Sequence, residues 1–166
     1  DVDLFEIKVQ ALLMEELNIL LKKLPVELKN FNLESMEEMI DALDPDKDRL
    51  PTFYVYDSYS AALKMVRDKK KDIEKRIFAA KSFEEVSQLK EERLKILVEE
   101  EREELEVRRQ LTSILLKKAE GFLENIDKIG NLDFLMAKVR FAKTYGGIRP
   151  EISTNNEIDV TGLVNI

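Results

Sequence analysis

The chain has 166 residues, enough for one domain of ordinary size with a real core. It contains neither Cys nor His, so disulfides, thiol chemistry and imidazole catalysis are excluded, and a metal site would have to be built from oxygen ligands alone. At 44% hydrophobic and 37% charged, with five Gly and four Pro, the composition points to long solvated helices, while a net charge of −7 has the wrong sign for a nucleic-acid footprint over the whole surface.

No apolar run approaches the roughly 18 residues of a membrane span, and no signal peptide is present, so no membrane partner is expected. A cytoplasmic location is expected. The chain opens on Asp1 without Met, which suggests a piece of something longer.

In chain order, residues 4 to 24 read as a helix: Phe5, Val9, Leu13, Leu17, Leu20 and Leu24 recur at helical spacing. Ile7, Ala11, Met14 and Leu21 widen that stripe, so the helix is expected to be buried among several neighbours, with Pro25 just past its end. Ser35 and Glu38 form a capping-box pattern for a short helix over about 36 to 43. DPDKDRLP, 44 to 51, reads as a turn-rich loop, and TFYVY, 52 to 56, as a strand.

Asp57 or Ser58 is placed to cap a long helix in which Leu63, Val66, Lys70, Ile73, Ile77 and Ala80 trace the seam of a coiled coil. That pattern breaks at KSFEE, where Ser82 and Glu85 make a second capping box. The next helix meets no Pro or Gly until Gly121, and Phe83, Val86, Leu89, Leu97, Leu111, Ile114, Leu115, Phe122 and Ile126 mark its apolar side. Its middle, EEEREE at 99 to 104, should project into water.

Residues 64 to 76 carry seven Lys and Arg against three acids, whereas 91 to 106 carry eight Glu against three basic residues. Folding back near 81 to 83 sets the basic helix against the acidic one, giving an antiparallel hairpin that stands as an arm on a helical base. Exposed pairs of this kind contribute only a few tenths of a kcal/mol each, about the scale of helix-surface pairs, so the seam supplies stability and the charges set orientation. Past a break at Lys128 to Asn131 comes a last helix with Phe134, Ala137, Val139, Phe141 and Ala142 on its apolar side and Gly146 or Gly147 as its stop. STNNEIDVTGLVNI, 153 to 166, alternates weakly enough for one more strand.

The fold class expected is therefore mainly α: a helical core with a long antiparallel two-helix arm and one or two short strands. Its base covers about 1–57 and 128–166, and the arm about 58–127.

Little in the sequence suggests chemistry. DPDKD at 44 to 48 spaces three carboxylates like the first half of a calcium loop, but Arg49 stands where Gly is needed and Val55 where Glu is needed, leaving a solvated turn. FYVYDSY offers aromatic faces for base stacking and reads instead as core. No Gly opens a phosphate-binding loop, and no paired acids sit in an apolar setting, so no catalytic, cofactor-binding or metal residues are expected.

Leu132-Asp133, Ala137, Ala142, Tyr145, Arg149-Pro150 and Ile152 resemble the pattern that closes the central domain of MutS-family proteins, just before their ATPase domain. Upstream, DLFEIK at 3 to 8 is similar to an early helix of that domain, and YDSYSAALKMVRDKKKDIEKRI to its outgoing lever helix. The resemblance implies a core-and-lever fragment without activity of its own, cut from a DNA-dependent ATPase that binds ATP and Mg, acts on DNA and forms a homodimer. The mismatch-reading domain is absent, and the turn at Lys81 and Ser82 replaces the DNA-gripping clamp, which makes the chain similar to the clamp-less branch, with roles in mismatch repair or recombination. Any DNA contact by the fragment falls to Lys69, Lys71, Lys75, Arg76 and Lys81 near the arm's tip. The competing reading is a free-standing coiled-coil adaptor, resting on Lys70 in an otherwise apolar seam and on the acidic stripe at 99 to 106.

Overall fold

The structure is a computed structural model that describes residues 2–25 and 31–148. The 153 to 166 strand and the residues Arg149, Pro150 and Ile152 lie outside the described residues. The described chain is mainly helical: α1 (Val2–Leu21), α2 (Glu37–Leu43), a 3₁₀ turn (Asp57–Tyr59), α3 (Ala61–Ala79), α4 (Phe83–Leu116) and α5 (Ala119–Tyr145). It divides into two units, Asp1–Ile129 and Gly130–Ile166. None of the described helices is long and apolar enough to cross a membrane.

α1 does not bury the face that its apolar spacing suggests. The buried line is Leu4, Lys8, Ala11, Met14, Glu15, Asn18 and Leu21, while Phe5, Leu13, Leu20 and Leu24 are exposed. The helix therefore buries one face only. Three polar residues hold that line because each finds a partner inside. Lys8 Nζ donates to Asp44 Oδ1 at 3.0 Å, with both side chains removed from water. Asn18 Oδ1 accepts the Leu33 N–H, and Glu15 Oε2 accepts the Met36 N–H and the Ser35 hydroxyl. An unpaired buried polar group costs more than most apolar contacts return, so these pairings decide which face turns inward.

Ser35 donates its hydroxyl to Glu15 and accepts the Glu37 N–H at 3.4 Å, while Met36, whose side chain makes no cap bond, occupies the N-cap of α2. The 44 to 51 segment is the expected loop, with Lys47 and Arg49 at positive φ. Its first carboxylate is not solvated: Asp44 also accepts the Arg49 N–H at 2.9 Å. Burial raises the Asp44 pKa, and Arg49 and Lys8 together outweigh it, leaving the carboxyl below its ordinary value.

No strand forms among the described residues, so TFYVY at 52 to 56 is extended coil. A strand needs an edge to pair with, and none is offered here. Of the aromatics read as core, Tyr56 is buried and Phe53 and Tyr59 are half-buried, while Tyr54 lies exposed against the Tyr56 ring at a centroid distance of 3.8 Å. Tyr59 donates its hydroxyl to Ala42 O at 3.0 Å, and burial pushes its phenol well above the usual value.

The helix starting at Phe83 stops at Leu116. Lys117 and Lys118 donate to carbonyls three residues back, a tightened turn with no Gly or Pro to announce it. α5 then runs through Gly121 and through the predicted break at Lys128 to Asn131 as one helix. A single internal Gly costs roughly 1 kcal/mol, too little to end a helix of this length. In the first unit, Asn125 of α5 clasps the backbone of Glu34, accepting its N–H at 2.8 Å and donating to its C=O at 2.9 Å. α5 ends as predicted: Gly146 takes a left-handed φ of 65° and the Gly147 N–H reaches Ala142 O at 2.8 Å.

Candidate nucleic-acid interface and arm root

α3 begins at Ser60, whose hydroxyl accepts the Leu63 N–H; Asp57 and Ser58 are taken up in the preceding 3₁₀ turn and do not cap it. α4 begins at Ser82 as expected, with its hydroxyl accepting the Glu85 N–H at 3.2 Å. Three residues, 80 to 82, separate the two helices, and they pack along each other. The ion pairs run in descending order: Arg67 meets Glu104 and Glu100, Lys70 meets Glu100, Glu74 meets Arg93, and Arg76 approaches Glu92. That order is an antiparallel register.

Val66, Ile73 and Ile96 form the apolar cluster of the seam, with Ile77 packed against it, and Leu63 and Leu89 are buried nearby. On α4 the seam residue is Ile96, not Leu97. The exposed Phe83 and half-exposed Ile114 also lie off the buried line.

The root of the arm is built on Arg67. Its guanidinium donates to Val55 O at 2.8 Å, Asp57 at 2.5 Å, Glu100 at 3.1 Å and Glu104 at 2.7 Å. One planar fork thereby ties the 55 to 57 segment, α3 and α4 together, a geometry that a lysine could not reproduce. Burial alone would lower the Arg67 pKa, and the three carboxylates overcome it and hold the group more firmly charged. Glu100 is buried in the middle of EEEREE, bonded to both Lys70 and Arg67. Burial raises its pKa, and those two cations bring it below the ordinary value. The acidic stretch therefore does not simply face water: Glu100 and Glu104 point at α3.

The five expected contact residues are placed on the outside. Lys69, Lys75 and Lys81 are exposed, Lys71 Nζ lies 3.6 Å from Asp68, and Arg76 lies 3.9 Å from Glu92. At 100° per residue they do not form one stripe: Lys71 and Lys75 share one side of α3, Lys69 and Arg76 another. Lys64, exposed and seven residues before Lys71, falls in line with Lys71 and Lys75. That row is legible in the sequence as i, i+7, i+11 spacing. Among the described residues, no group of three or more acids could hold a metal ion.

No family model matches the chain. Over 72 residues, 43% of its length, it is 36% identical to Endonuclease MutS2 of Geobacillus sp. (strain WCH70). The match covers 9% of that much longer protein. No solved structure matches the chain.

Proposed function

We propose that this chain is the core-and-lever part of a MutS-like DNA repair or recombination protein, in which it transmits displacement between engaged DNA and an ATPase site elsewhere in the protein. The observation that carries this reading is the α3–α4 hairpin locked at its root by Arg67. A close-packed two-helix arm whose Arg67 reaches two acceptors in the base and two on α4 moves as one piece and does not bend cheaply. The partial identity to Endonuclease MutS2 supports the choice of family. On this reading the base is about 1–57 and 128–166, the lever about 58–127, and the fragment has no catalysis of its own. ATP and Mg are cofactors of the whole protein, which works in the cytoplasm as a homodimer on DNA.

The gene tests the family directly: a GxxxxGK[ST] phosphate-binding motif should be encoded within about a hundred residues beyond Ile166, the length of the approach to such a loop. Its absence would end the reading. DNA contact is tested by a mobility-shift titration. The Lys64, Lys71 and Lys75 row with Lys69, Arg76 and Lys81 can touch only a few phosphates, so binding should be weak at about 50 mM salt and gone at about 200 mM. Micromolar binding that survives the higher salt would mean that the arm grips DNA unaided.

The adaptor reading loses one support and part of the other: Lys70 is satisfied within the chain by Glu100, and Glu100 and Glu104 of the acidic stripe are turned inward, while Glu99, Glu101 and Glu106 stay exposed.

A further inference from the structure

Near its tip the arm has one side unlike the others. On α3, Lys64, Lys71, Lys75 and Phe78 step by 7, 4 and 3 residues, and on α4 Phe83, Lys90, Leu94 and Leu97 step by the same intervals. At 100° per residue each set falls within a band about 60° wide. The two bands face the same way, because Phe78 of α3 and Lys90 and Leu94 of α4 line one groove of about 650 Å³, together with Glu74, Ile77 and Arg93. Phe78 is 92% exposed and Leu94 60%. Large apolar side chains set side by side in water mark a contact surface, whereas scattered ones do not.

The charges around this apolar floor are one-sided. Lys75 and Lys90 are exposed and make no ion pair among the described residues, and Lys71 has only Asp68, at 3.6 Å. Glu74 in the groove wall is taken by Arg93 at 2.9 Å. The nearest exposed acid on the same band of α4 is Glu101, about two turns beyond Leu94 toward the base. Glu84, Glu85, Glu91 and Glu92 fall outside the band.

Floor and rim each exclude a class of partner. Ile77 and Leu94 are aliphatic, so they offer no face on which a base can stack, and a phosphate backbone laid over them would lose its hydration. Unpaired lysines on both sides reject a basic partner and leave a wholly apolar one without countercharge. A helix with a narrow apolar stripe bordered by acidic residues satisfies both. Its stripe enters the groove between α3 and α4 as a third packed helix would, and its carboxylates reach Lys71, Lys75 and Lys90.

We infer that the tip groove of the arm docks an acidic amphipathic helix of a partner protein, with Phe78 and Leu94 as the apolar anchors. The contact covers Lys71 and Lys75, so an occupied groove withdraws them from DNA. If the groove takes no such helix, the core-and-lever reading still stands, because it rests on the root of the arm and not on its tip.

The chain has no Trp, so Phe78→Trp sets a single fluorescent reporter in the groove, and Met65→Trp sets one about 140° round α3, outside it. Both positions are exposed, and neither change should disturb the fold. The probe is a synthetic helix of about 18 residues with Leu at every third or fourth position and Glu along both borders of that stripe. At about 50 mM salt it should shift the Phe78→Trp emission to shorter wavelength, saturating below about 100 µM, and leave Met65→Trp unmoved. A peptide of the same composition with its Leu residues scattered round the helix should bind at least about tenfold more weakly. Lys75→Glu combined with Lys90→Glu should weaken the acidic helix at least about tenfold, and a peptide with Lys in place of Glu should then bind in its stead. No saturation by about 1 mM, equal binding of the scattered peptide, or indifference to the charge reversal would each overturn the inference. So would oligothymidylate or anionic vesicles that move the Phe78→Trp emission at a lower concentration than the helix does. If a variant unfolds, calorimetric titration of the unaltered chain with the ordered and scattered peptides decides.

Discussion

The base and the arm are held by different physics. In the base, polar side chains are buried singly and matched one to one: Lys8 with Asp44, Glu15 with the Ser35–Met36 turn, Asn18 with Leu33, Asn125 with the Glu34 backbone. In the arm, a repeating apolar seam carries the packing, and the charges form a ladder that is half-buried at the root and grows more exposed toward the tip. A ladder tolerates the loss of a rung; a single buried pairing does not. Stability should therefore be concentrated in a few base residues and spread thinly along the arm.

The sharpest way to break this contrast is Lys8→Met. It leaves the Asp44 carboxylate buried without its cation, and unfolding by urea should show a loss of about 3–5 kcal/mol. A loss below about 1 kcal/mol would mean that water reaches Asp44 and that the base is no more specified than the arm.

Acid should act on both regions. Asp44 and Glu100 each ionise more readily folded than unfolded. Their contribution is therefore complete above the ordinary carboxylate range and is lost as pH falls through the depressed values. Thermal melts should be flat near neutrality and drop from about pH 4 downward. In Lys8→Met the Asp44 share of that drop should vanish.

At the arm root, Arg67→Met removes a fork with four acceptors but leaves Lys70 on Glu100. A loss of about 1–3 kcal/mol is expected, the scale of hydrogen bonds to charged groups. Arg67→Lys should recover only part of it, because an ammonium cannot span four acceptors. Farther out, Arg93→Ala breaks its pair with Glu74, in which both side chains are more than one-third exposed. Its cost should be about 0.5 kcal/mol and should shrink further in salt. Equal costs at Arg67 and Arg93 would erase the distinction between root and tip.

Much of the arm was legible from residue order alone. A seam repeating by three and four, a capping serine at Ser82 and opposite charge on consecutive helices are local patterns, and local patterns survive into the fold because neighbours in sequence remain neighbours on a helix. The helix stop at Gly146 was legible for the same reason. Even here the choice between Ile96 and Leu97 was not, since adjacent apolar residues differ by 100° and only the facing helix selects one.

What the tertiary structure alone decided are the matters of partnership across long separations. Lys8 and Asp44 are 36 residues apart, and Asn125 reaches Glu34 over 91. Neither periodicity nor propensity contains that information, so α1 was expected to bury its apolar line and TFYVY to form a strand. In each case a group elsewhere in the chain was present, or absent, to complete the hydrogen bonds. Residue order therefore determined the mainly helical character, the seam face of α3 and the antiparallel sense of the arm. The folded chain determined which polar groups go inside, because burying them is favourable only where a distant partner lies within hydrogen-bond reach.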